Sequence, residues 1–155
     1  MTDEEATERL TDEEQQRAFD EWVQRELNSH ATHLFKAGLI DGRVEVAIAW
    51  ALPGRLCIGT VASKADKGKA FWVISGDVPT DHLDLKQAAT AREAAKHFAL
   101  KWQLQAVRLA ESQAVGRHDD DPRVFTAAST ELTRKAEALY ALTEQDEHWQ
   151  TQLIG

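Results

Sequence analysis

Between Phe19 and Leu34 the apolar side chains Phe19, Trp22, Val23, Leu27, Ala31 and Leu34 recur every three or four residues. That spacing predicts a helix with a single apolar stripe. Thr11-Asp12-Glu13-Glu14 supplies a start, because a threonine hydroxyl and a glutamate three residues on can satisfy orphan amides reciprocally, and Gly38 supplies a stop. The acidic residues 1–10 are expected to stay flexible ahead of that start. After the Asp41-Gly42 turn the period shortens: Val44, Val46, Ile48 and Trp50 alternate with Glu45, Ala47, Ala49 and Ala51. This is the pattern of a strand with one bulky face and one small face, ended by Pro53-Gly54. A second strand is predicted over 56–63 and a third over 70–75, joined through Asp66-Lys67-Gly68-Lys69. Connections this short imply an antiparallel meander, since parallel strands need a long crossover.

Beyond His82 the helical spacing returns. Ala91, Ala95, Phe98, Trp102, Ala106 and Leu109 line one face of a second helix, with Asp84 and Gln87 as a capping pair and Gly116 as its end. Asp121-Pro122 reads as the N-cap and first residue of a third helix, whose stripe runs Phe125, Ala128, Leu132, Ala136, Leu139, Leu142, Trp149 and Leu153. The order is α-β-β-β-α-α. It defines an α+β fold, a three-stranded antiparallel sheet with three helices covering one face. No repeat, low-complexity tract or linker interrupts it, so residues 11–155 are expected to form one domain.

Composition narrows the classes. The 155 residues are 43% hydrophobic and 28% charged, enough apolar material for a core without metal or disulfide staples. A net charge of -8 repels a phosphate backbone and argues against nucleic-acid binding. The lone Cys57 has no cysteine to pair with and sits between Leu56 and Ile58, as a small buried hydrophobe in a strand would. With an acidic amino terminus and no apolar run of membrane-spanning length, the expectation is a cytoplasmic protein without membrane contact.

Candidate chemistry concentrates where the third strand breaks into a turn, Phe71-Trp72-Val73-Ile74-Ser75-Gly76-Asp77-Val78-Pro79-Thr80-Asp81-His82. Asp77, Asp81 and His82 at a strand exit can share a divalent ion or relay a proton. The same residue types also make turns and helix caps, and that structural duty accounts for the aspartates without chemistry. Five tryptophans fall one each on five of the six elements, which favours core packing over an aromatic-walled cleft. His30 and His33 lie three apart on the first helix, a spacing that permits but does not specify a metal pair, with His97 as a possible third ligand. Ser75 lacks a nucleophile-elbow sequence, and the glycines form no phosphate-cradling loop. The second helix is locally basic through Lys86, Arg92, Lys96, Lys101 and Arg108, a face suited to an acidic partner or to the acidic first helix of a second copy.

The turn together with Ala91-Arg92 and the run from His97 to Gln105 resembles a small bacterial family of unknown function, the domain-of-unknown-function family numbered forty-eight twenty-six. The resemblance covers the turn and second helix closely, the first helix and early strands loosely, and does not extend to the third helix. It implies no activity and no cofactor. It does direct attention to Trp72, Asp77, Thr80, Asp81, His82, His97 and Lys101, with Trp102, as residues that would converge between strand exit and helix. No complete catalytic set is present, so the expected role is a non-enzymatic module that binds a protein or small ligand, adaptor-like or immunity-like. The alternative is a small metal-dependent hydrolase built on Asp77, Asp81 and His82. A homodimer, through the third helix or an uncovered sheet face, is the further expectation.

Overall fold

In the computed structural model of the chain, residues 3–66, 68–114 and 122–150 are described, with side chains over 11–66, 68–112 and 127–150. The first helix, α1, spans Asp3–Lys36. It runs straight through the Thr11 to Glu14 sequence rather than beginning there. Acidic residues at Asp3, Glu4 and Glu5 favour a helix amino terminus, and the glutamates, Ala6, Arg9 and Leu10 that follow are good helix formers. Its end is a Schellman motif at the predicted glycine: the Gly38 amide donates to Phe35 O at 3.1 Å and the Leu39 amide to Leu34 O at 3.1 Å. Gly38 takes the positive φ of 73° that this closure requires.

The chain forms two compact units, divided in sequence between Asp81 and His82. In the first, β1 (Val44–Leu52), β2 (Leu56–Ser63) and β3 (Ala70–Gly76) pair antiparallel, with Val46 opposite Val61 and Val61 opposite Phe71. α1 packs on the face that carries Val61 and Val73, where Leu34 and Ile40 complete a buried cluster. One departure from simple alternation lies in β1. The register shifts between Ile48 and Trp50, so Ile48 faces Gly59 but Trp50 faces Ile58. A bulge turns the strand over by one residue, which sends Trp50 to the sheet face opposite Val46 and Ile48. There it shares the pleat side of Ile58 and Ile74, all three buried.

The sheet has four strands in the order β1-β2-β3-β4, which corrects the predicted three. β4 is the four-residue segment Asp81–Asp84, straddling the division between the units. Its sequence, Asp-His-Leu-Asp, hides the strand: it is too short to display alternation, and aspartate is depleted in strands. Short, charged segments are nonetheless what sheet edges use to deter pairing with other chains.

In the second unit a 3-10 turn, Leu85–Gln87, follows β4 and takes Asp84 as its cap, with the Lys86 amide donating to Asp84 Oδ1 at 2.9 Å. The helix α2 begins only at Ala91 and runs to Ala114. Its start is set by Thr90 and Glu93: the Glu93 amide donates to Thr90 Oγ1 at 3.1 Å, and Glu93 Oε2 accepts from the Ala89 amide at 2.9 Å. This Thr-x-x-Glu cap outcompetes the predicted Asp84 and Gln87 pair. The third helix, α3, spans Pro122–Thr143 and has proline first, as predicted.

α2 and α3 pack antiparallel. Arg92, at the start of α2, reaches the end of α3, donating through Nε to Thr143 O at 2.7 Å and through Nη2 to Asp146 Oδ1 at 2.6 Å. Farther along, Ser129 Oγ donates to Ala106 O at 3.0 Å. Ala95, Phe98, Ala99, Trp102 and Ala106 of α2 and Ala136 and Leu139 of α3 are buried. Past α3 a second 3-10 turn, Asp146–His148, redirects the chain, and Trp149 Nε1 donates to Leu142 O at 3.0 Å. Trp149 therefore folds over the helix end instead of extending its stripe. The anticipated stop at Gly116, the N-cap at Asp121, the side chain of Phe125 and Leu153 lie outside the described residues.

Candidate functional site

In the first unit, two polar side chains interrupt the apolar stripe of α1. Glu26 and His30, four residues apart, share one side of the helix, and Ser75 meets both from β3. The Ser75 hydroxyl donates to Glu26 Oε2, and His30 Nε2 lies 2.7 Å from Ser75 Oγ. A hydroxyl has one proton, so with that proton on the glutamate bond the imidazole must donate Nε2–H to Ser75. Nδ1 is then a bare acceptor, and it has no hydrogen-bond partner among the described residues.

Close approach to the sheet makes this arrangement possible. A Cβ at Gly59 would stand 2.6 Å from Ala47 O and 3.1 Å from His30 Nδ1, so any other residue there would collide with the neighbouring strand and press on the ring. His30 and Ser75 are 0% and 1% exposed. Burial first, and then the neighbouring His33, lowers the His30 pKa from 6.5 to about 4, so the ring is neutral at pH 7. On the same sheet face the Cys57 thiol is pushed up to about 12, first by burial and then by Glu26. That thiol is protonated and inert.

The order Glu-Ser-His sets the chemistry of the network. Activating a serine requires the histidine between acid and hydroxyl, whereas here the hydroxyl is in the middle and closed from solvent. Glu26, Ser75 and His30 instead tie α1 to β3. The sequence signal for them was present as two polar residues at helical spacing inside an otherwise apolar stripe. Ser75 and His30 attract notice as nucleophile and metal ligand, but not as partners forty-five positions apart.

The residues singled out around the turn fall in both units. Trp72 is buried in β3, on the face opposite Ser75. Asp77 and Thr80 are exposed and Asp81 half-buried; the Asp77 amide closes the turn on Arg55 O at 2.7 Å. In the second unit His82 is half-buried and its carbonyl accepts from Lys101 Nζ at 3.2 Å. His97 is exposed and Trp102 fully buried, five residues apart and so about 140° around α2. The structure thus brings Lys101 to His82 and sends Trp102 into the core, where its ring lies 6.1 Å from that of Phe98.

What α2 turns to solvent is unexpected. Leu100, Leu104 and Val107 are 48%, 60% and 54% exposed, and their spacing of four and three places them in one stripe. From Ala94 to Ala110 the helix carries Lys96, Lys101 and Arg108 and no carboxylate. His97 continues the stripe at one end. The signal was legible, since these apolar positions fall off the Phe98, Trp102 and Ala106 face, yet apolar residues are read as core by default.

Fold and site together define a small α+β protein whose polar network is internal and whose α2 bears an exposed apolar seam with basic flanks. Residues 14–149 match the family model described as Domain of unknown function (DUF4826), and the chain belongs to that family. The match includes α3, which the resemblance through the turn and second helix does not reach. No curated protein and no solved structure matches the chain.

Proposed function

We propose that the protein is a non-enzymatic protein-binding module whose contact surface is the solvent face of α2. The observation that carries this reading is the apolar stripe Leu100, Leu104 and Val107, exposed on a helix whose other face already supplies the core of its own unit. Isolated exposed apolar residues need no explanation, but three in register on one helix form the kind of strip that a partner helix covers. His97 and Lys101 border it. Lys101 is fixed by its bond to the His82 carbonyl, which holds its charge beside the stripe and brings His82 into the surface as a supporting residue.

Photo-crosslinking in cells tests this directly. A photoreactive residue at Leu104 is expected to give discrete protein adducts that disappear when Leu100→Asp is added. The same probe at exposed Lys86 is expected to give none of them. Equal labelling from both positions, or none from Leu104, would remove the reading.

A further inference from the structure

The chain itself contains a helix that fits the α2 seam. We infer that the amino-terminal half of α1 from a second copy docks there, antiparallel to α2. This rests on the proposed binding role of α2 and names its occupant.

Two features motivate it. First, the described start of α1 contributes no buried side chain. Every side chain from Thr11 to Ala18 is exposed, Phe19, Trp22 and Val23 are half-buried, and the first buried residue of the described part is Leu27. Second, this part of the helix is acidic where α2 is basic: between Thr11 and Arg25 there are five carboxylates against Arg17 and Arg25.

The spacing of the two helices agrees in detail. On α2 the seam positions Leu100, Leu104 and Val107 are separated by four and three residues, and a cation follows the first and the last, at Lys101 and Arg108. On α1, Gln16, Phe19 and Val23 are separated by three and four, and an acid follows Phe19, at Asp20, with Glu13 one heptad earlier. An antiparallel pairing of seams places Leu104 against Phe19 and Leu100 against Val23. The same register sets Lys101 opposite Asp20 and Arg108 opposite Glu13, seven residues apart on both helices. Asp20 retains a carboxylate oxygen for this pairing after accepting from Gln16 at 3.0 Å. Packing α2 against α2 of another copy would set Lys101 and Arg108 against each other, so like charge disfavours that alternative.

Sedimentation equilibrium of the full chain is the test, with thermal melts to confirm that each variant folds. The wild-type chain is expected to self-associate, with a dissociation constant that rises about tenfold or more when salt is raised to ~0.5 M. Lys101→Glu with Arg108→Glu should abolish association. Adding Glu13→Lys and Asp20→Lys to that pair should restore it. A monomer at all concentrations, or association that ignores the reversal or is not regained by the swap, would overturn the inference. A monomer that still gave foreign adducts at Leu104 would overturn the second copy as occupant while leaving α2 as a binding surface, and loss of those adducts as well would sink both.

Discussion

Ser75 sits between a carboxylate and an imidazole with almost no exposure, and its removal should be felt at both. Ser75→Ala leaves Glu26 and His30 facing an apolar methyl in a closed site, at a cost of about 1–3 kcal/mol. A urea midpoint measures it, and a change below ~0.5 kcal/mol would mean the network is not formed. His30 adds a pH dependence of definite sign. With a folded pKa of about 4 against 6.5, the unfolded chain binds a proton that the fold rejects between those values. Stability therefore rises with pH across that window and is lost as the pH falls from 6.5 toward 4, by up to about 3 kcal/mol from this group. His30→Gln should flatten the slope; an unchanged slope would assign it to other groups. Cys57, with its thiol near 12, should resist alkylation at neutral pH until the protein unfolds. At this scale the sequence was only half readable. The types and spacing of Glu26 and His30 were visible, but their meeting with Ser75 depends on the depth to which Gly59 admits the helix.

Local rules decided most elements. The Schellman closure at Gly38 and the proline start of α3 were legible, because each depends on residues adjacent in sequence. β4 and the bulge at Ala49 were not, since both arise from pairing with a neighbouring strand. The entry to α2 was misplaced between two valid caps, and only one of them could start the helix. Thr90→Ala is accordingly expected to destabilise by about 1 kcal/mol, measured by thermal or urea unfolding. No effect would show the cap to be dispensable. Leu104→Asp should behave oppositely, leaving stability within ~0.5 kcal/mol while abolishing association, because an exposed side chain contributes little to its own fold. A large loss of stability would mean Leu104 belongs to a core.

Across the whole chain, charge is distributed unevenly: a net -8, acid over the amino-terminal half of α1, and a stretch of α2 with cations alone. No helix among the described residues is long and apolar enough to cross a membrane. The asymmetry and the matched heptads make association between copies the main functional claim. Because Cys57 is buried and unreactive, single cysteines introduced elsewhere report contacts cleanly. The most direct measurement mixes a Gln16→Cys chain with a Val107→Cys chain under mild oxidation, since these positions meet in the antiparallel register. A mixed disulfide between positions 16 and 107 is expected to form well ahead of either like pair and of a Gln16→Cys with Lys86→Cys control. Mixed disulfide no faster than that control would contradict the docking of α1 on α2.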